Sequence, residues 1–151
     1  MGFEPVEKRR EIAKNLGFEH VYDPREVDPV DAIYEATDGR GADVHLETAG
    51  AVQETYPIIE KALAEEANVV HISNTGSKPE IDTRKYQGSA AQLYGSEGHT
   101  MNEVYPRVIR LMSAGRLDNL PIVTSTYPLS QADEALERAV ERVDGKVMID
   151  V

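Results

Sequence analysis

The chain has 151 residues, with 27 acidic against 16 basic side chains and a formal net charge of −11, a length that suits one domain with a real core. It has no cysteine, which excludes disulfides, thiol nucleophiles, iron–sulfur clusters and Cys-type zinc sites and fits a cytoplasmic location. No run of about 18 apolar residues predicts a membrane span, and the negative charge argues against general nucleic-acid binding.

Residues 1–6 lack the basic and apolar segments of a signal peptide, and Val6 stands where a myristoylation motif wants Ser or Thr. Residues 5–16 predict a helix, with Pro5 in its first turn, Ile12, Ala13 and Leu16 on one face and Gly17 as its stop. A short strand follows at His20, Val21 and Tyr22. Asp28 and Pro29 open a second helix as cap and first-turn proline, with Ile33 and Ala36 inward and Gly39 ending it. Residues 42–47 predict a strand and 52–64 a helix carrying Tyr56, Ile59 and Leu63. Residues 68–73 are nearly all apolar, as in a strand covered on both faces.

Residues 74–89 are polar and predict a loop, and residues 91–94 a strand. Residues 102–114 predict a helix with Val104, Val108, Ile109 and Met112 inward, Pro106 in its first turn and Gly115 as terminator. A strand at 122–127, bracketed by Pro121 and Pro128, suits a sheet edge. Ser130, with Asp133 three residues on, predicts the cap of a last helix buried through Ala135, Leu136, Ala139 and Val140. Residues 146–151 predict a closing strand. The alternation implies one α/β domain over 1–151, a mainly parallel sheet with helices on both faces.

Several motifs, in order along the whole chain, resemble the cofactor-binding domain of the medium-chain, zinc-type alcohol, sorbitol and threonine dehydrogenases. They are Glu4-Pro5, Lys8-Arg9-Arg10, Ala13-Lys14 and Leu16-Gly17, then His20-Val21-Tyr22-Asp23-Pro24. Gly39-Arg40-Gly41-Ala42-Asp43-Val44, Glu47-Thr48-Ala49-Gly50 and Val69-Val70-His71-Ile72 follow. The tail matches in Pro128-Leu129, Ala132, Glu134-Ala135-Leu136 and Asp144-Gly145-Lys146-Val147. The resemblance implies the later part of a Rossmann-like domain that lacks the first strand and the glycine-rich turn. No G-x-G-x-x-G occurs, and Gly39-Arg40-Gly41 follows a helix instead of a strand.

By the same resemblance, Glu4 is the acid at the end of the second strand that accepts the adenosine ribose hydroxyls. This favours NAD, while Arg9 and Arg10 nearby keep NADP open. Thr48, Ala49 and Gly50 form the turn beside the adenosine, and Ile72, Ser73, Leu93 and Tyr94 the strand ends that meet the nicotinamide amide. Lys146 matches the family lysine near the chain end. Two departures stand out. Glu65-Glu66-Ala67 replaces the usual Pro-Gly-Gly, and Ser73 stands where glycine is typical.

No residue is read as catalytic or as binding zinc. His45 and Glu47 lack the downstream Pro-Cys-x-x-Cys of a deaminase, and strand alternation puts them on one partly buried, hydrogen-bonded face. His20, His71 and His99 have no ligand spacing, and no G-x-S-x-G elbow supports a Ser–His–acid triad.

In the strand order 3-2-1-4-5-6 the absent first strand is central, leaving its neighbours about 10–15 Å apart. Three remedies are open: direct pairing across the gap, a strand from another copy, or a separately encoded front half. The expected assembly is a homodimer through 91–94 and 122–127, or a complex with an N-terminal half, with no nucleic-acid or membrane partner. The functions in view are the cofactor-binding portion of an NAD(P)-dependent alcohol or polyol dehydrogenase, inactive alone, and a non-catalytic remnant or interaction module on the same scaffold. A third is a small α/β protein for another nucleotide or a methyl donor.

Overall fold

A computed structural model describes residues 1–98 and 104–151. In chain order the elements are β1 (Gly2–Phe3), α1 (Glu7–Asn15), β2 (Val21–Tyr22), α2 (Pro29–Ala36), β3 (Ala42–Glu47), α3 (Val52–Lys61) and β4 (Leu63–His71). Then come α4 (Thr83–Ser89), β5 (Gln92–Gly95), α5 (Val104–Ser113), β6 (Val123–Pro128), α6 (Ala132–Val140) and β7 (Lys146–Asp150). All strand pairs are parallel: β1 with β2, β3-β4-β5 in that order, and β6 with β7. This is the α/β, parallel-stranded, Rossmann-like architecture expected. Among the described residues β1 bonds only to β2 and β3 only to β4, so direct pairing across the gap is not adopted.

The chain forms two compact units, one from Met1–Val27 with the described part of Glu103–Val151, the other Asp28–Asn102 up to its last described residue. In the first, α1 begins two residues later than expected. Val6 stands at its cap, so Pro5 precedes the first turn instead of lying in it, and the Glu4 carboxylate accepts the Val6 N–H at 2.8 Å. Asp23 is buried and accepts Arg25 at 2.6 Å and Arg10 at 3.1 Å, which holds its carboxyl well below the usual range, Arg25 first. Buried Asp144 gathers α1, β6 and α6 by accepting Lys8 at 2.5 Å, Thr124 at 3.1 Å and Arg138. The Lys8 bond leads the lowering of its pKa, ahead of those from Arg138 and Thr124.

The predicted start of α5 at Asn102 lies outside the described residues. Three expectations fail in this unit. Within α5, Val104 and Val108 are half-buried, but Ile109 and Met112 are exposed. Ser130 does not cap α6. It lies in a 3-10 turn, Leu129–Gln131, and α6 starts without a side-chain cap. Of the predicted α6 stripe only Ala135 is buried; Leu136, Ala139 and Val140 are exposed. Periodicity marks which residues share a face, and what covers that face is a separate question.

In the second unit Asp28 accepts the Val30 and Asp31 N–H groups, with Pro29 behind it, as expected. The helix α3 buries Val52, Tyr56 and Ile59 against a core that includes Ala62, Ala64, Ala67 and Val69. It ends at Lys61, and Leu63 belongs to β4. Ala42 partners Leu63 and Val44 partners Asn68, so Asp43 faces a bulge of residues 64–67. Glu66 takes a φ of +58° there, at the position where the resembling family places its glycines. The polar stretch 74–89 ends in a helix, α4, not a loop; Asp82 caps it by accepting Arg84 N–H at 3.1 Å.

Candidate functional site

Parallel strands put their carboxyl ends at one edge of a sheet, where loops diverge and a ligand can sit. In the second unit Glu47, His71 and Gly95 are in register, so β3, β4 and β5 exit together. The Glu47 carbonyl accepts Ile72 N–H at 2.9 Å and Ser73 N–H at 3.2 Å, and the His71 carbonyl accepts Ser96 N–H at 2.9 Å.

The buried Glu47 carboxylate organises this edge. It accepts Ala49 N–H at 3.2 Å, Gly50 N–H at 3.1 Å and the Thr55 hydroxyl at 3.2 Å, and also the Ser73 hydroxyl. Those bonds draw the turn after β3 back over the strand end and tie it to the exit of β4. Gly50 has φ +72°, and a Cβ there would come within 3.1 Å of Asn74 O, so the turn needs glycine. His71 Nδ1 lies 3.5 Å from Glu47 and 3.2 Å from the Tyr56 hydroxyl. Burial, and next the Glu47 charge, push the Tyr56 hydroxyl pKa up.

Of the sequence-predicted residues of this unit, Ala49, Gly50, Ile72 and Ser73 are bonded to Glu47, with Thr48 on the same turn, whereas Leu93 and Tyr94 lie two strands away. Thr48 and Ala49 are exposed on the turn, and Ile72 is exposed just past β4. Ser73 is half-buried, because its hydroxyl turns back to Glu47. Leu93 and Tyr94 lie inside β5, which runs to Gly95, so they point to opposite faces; Leu93 pairs with Val69 and Tyr94 with Val70. Glu47, His71 and Tyr56 were missed as parts of the site. An acid ending an apolar strand with a glycine three residues on was the available signal.

His45 and Glu47 share the buried face of β3, as alternation predicted. His45 Nε2 lies 3.2 Å from Ala62 O, and burial pushes its pKa down. No group of three metal-ligating side chains gathers among the described residues.

In the first unit Glu4 follows β1. Its N–H donates to Tyr22 O at 3.0 Å and its carbonyl accepts Arg10 at 2.8 Å. Arg9 donates to Asp144 O at 3.1 Å. Arg9 and Lys146 rim a hollow of about 380 Å³ floored by Ile12, Leu16 and Ile122. Gly145 lies in its wall, where a Cβ would meet Ile122 O at 2.4 Å. The two cations stand 137 positions apart in the sequence, and only the fold brings them to one depression.

Residues 1–114 match the family model for zinc-binding dehydrogenases. The scyllo-inosose 3-dehydrogenase of Thermotoga maritima is 35% identical over 139 residues, 89% of this chain and 35% of that protein. The L-threonine 3-dehydrogenase of Pyrococcus horikoshii is 33% identical over 150 residues, 96% of this chain and 42% of that protein. A solved structure from Thermotoga maritima superimposes with a TM-score of 0.87 at 34% identity, covering 98% of this chain and 39% of its own. The alcohol dehydrogenase zinc-binding domain protein of Burkholderia ambifaria gives 0.84 at 27% identity, covering 99% and 40%. The chain thus spans about two fifths of the length of the relatives it matches. It belongs to the zinc-binding, medium-chain dehydrogenase family and matches the cofactor-binding part of those enzymes.

Proposed function

We propose that this chain is the cofactor-binding portion of a zinc-type NAD(P)-dependent alcohol or polyol dehydrogenase, forming one dinucleotide-binding-like domain over 1–151 that works in the cytoplasm. The observation that carries the reading is the in-register exit of β3, β4 and β5 beneath a turn cinched by Glu47. Thr48, Ala49 and Gly50 line the adenosine side, and Ile72, Ser73, Leu93 and Tyr94 the nicotinamide side. Glu4 takes the ribose hydroxyls, and Arg9 contributes positive charge. Arg10 is mostly buried and spent on Asp23 and the Glu4 carbonyl. That leaves it badly placed to take a 2′-phosphate and favours NAD over NADP.

The residues fit a nicotinamide dinucleotide at the strand ends, where Thr48, Ala49 and Ile72 are exposed and Gly95, which ends β5, has open space beside it. The glycine-rich diphosphate cradle is not among the 151 residues. When bound, the nicotinamide supplies hydride transfer; this chain's residues bind and orient it. The chain alone turns over no alcohol, because no residue of it is assigned to the zinc-assisted step. It is completed by a front segment carrying the missing strand and turn, or it pairs with a second copy through the outer edge of β5, which is unpaired among the described residues.

Calorimetry with NAD on the purified chain tests the reading. Micromolar binding without NADH formation from simple alcohols is the expected result. No binding at millimolar ligand would make the chain a scaffold that has lost its cofactor.

A further inference from the structure

In the second unit the helices gather on one face of the sheet. There the Thr55 hydroxyl of α3 donates to Glu47 at 3.2 Å, and the Tyr56 hydroxyl lies 3.2 Å from His71 Nδ1. His45 Nε2 lies 3.2 Å from Ala62 O, just past the end of α3. Helix α2 is tied to α3 by the Tyr34 hydroxyl, which donates to Lys61 O at 2.6 Å. The cap of α4 is tied to it by Asp82 N–H, which donates to Glu60 at 2.8 Å.

The opposite face of β3 is bare. Alternation sends Val44 and Leu46 there, away from the buried His45 and Glu47, and they are 57% and 61% exposed. Leu46 is in register with Val70 and Tyr94, and Tyr94 is 46% exposed. Parallel sheets are normally covered on both faces. Among the described residues the outer edge of β3 is unpaired as well.

The handedness of parallel connections decides what fits both vacancies. Crossovers between parallel strands are right-handed almost without exception. The crossover from β3 to β4 carries α3 on the His45 face. A parallel strand on the outer edge of β3 that leads on away from β4 crosses in the opposite direction. Its helix therefore lies on the Val44 and Leu46 face. A helix is about 10 Å across and neighbouring strands stand about 4.8 Å apart, so a helix over the added strand also covers β3.

We propose that Val44 and Leu46 are the seat for the apolar stripe of a helix in a strand–turn–helix segment from outside these 151 residues, whose strand pairs with the outer edge of β3. This rests on the dinucleotide-fold reading above, in which the order 3-2-1-4-5-6 gives the place beside β3 to the first strand. It names the surface on this chain that holds a front segment.

Thermal unfolding of a fusion tests it. The stretch of about 30 residues just before the matched part of the Pyrococcus horikoshii L-threonine 3-dehydrogenase, long enough for a strand, a turn and a helix, is joined ahead of Met1. The fusion is expected to unfold several degrees above the chain alone. Leu46→Lys removes most of that gain but leaves the unfused chain unchanged, because there the side chain is already exposed. Leu136→Lys, at a 62% exposed position on α6, alters neither. A fusion no more stable than the chain overturns the proposal, and so does a gain indifferent to Leu46→Lys. Sedimentation velocity of the unfused chain adds a third such outcome: self-association abolished by Leu46→Lys would assign the face to a second copy. Calorimetry with NAD is read separately. A fusion stabilised through Leu46 that binds no NAD sinks the cofactor reading and leaves this one standing. A chain that binds NAD but gains nothing from the segment does the reverse.

Discussion

Glu47 is the residue on which the candidate site turns. A carboxylate buried at a strand end is stable only if its oxygens are satisfied. Here two backbone N–H groups and two hydroxyls do so, and in doing so they fix the loop that follows. Glu47→Ala removes the acceptor of all four bonds and leaves the Ala49 and Gly50 N–H groups without it. We expect a loss of about 1–3 kcal/mol of stability, read by urea unfolding, with NAD affinity falling as the turn loosens. Unchanged unfolding would mean the turn holds itself. Little of this was legible in the sequence. Glu47 was read correctly as a buried, hydrogen-bonded residue on the same face as His45, but pattern alone does not say which backbone groups a carboxylate will collect. Ser73 shows the same limit. The sequence marks it as a departure from glycine, and only the coordinates show its hydroxyl turned to Glu47.

At the scale of elements, β3 and the Asp28–Pro29 start of α2 were read to the residue, because alternation and capping are local rules. The elements misjudged depend on what lies beyond them. Helix α4 escaped because Thr83–Ser89 is polar throughout and has no apolar period to betray it. The stripes of α5 and α6 are real but uncovered. The junction of α3 and β4 moved because the chain spends residues 64–67 on a bulge. Glu66 holds a left-handed φ of +58° in that bulge, a conformation that costs a residue with a Cβ roughly 1–2 kcal/mol. Glu66→Gly therefore stabilises the chain by about 0.5–1 kcal/mol, with the strain relieved set against the entropy of a freer unfolded chain. Thermal unfolding measures it, and a clear loss would show that the Glu66 side chain contributes more than its backbone costs.

For the whole molecule, the parallel sets β2-β1 and β3-β4-β5 are what the order 3-2-1-4-5-6 leaves when its first strand is taken away. Fold class and family were legible because the motifs run in order along the entire chain, each weak by itself. No helix among the described residues is long and apolar enough to cross a membrane. Ligand binding by loops without their phosphate cradle is the central claim, and a residue-resolved titration reaches it most directly. NAD added to the isotopically labelled chain, followed by amide chemical shifts, is expected to move Thr48, Ala49, Gly50, Ile72, Ser73, Leu93 and Tyr94, saturating together. A spectrum unmoved at millimolar NAD, or shifts confined to residues far from these strand ends, would contradict the account.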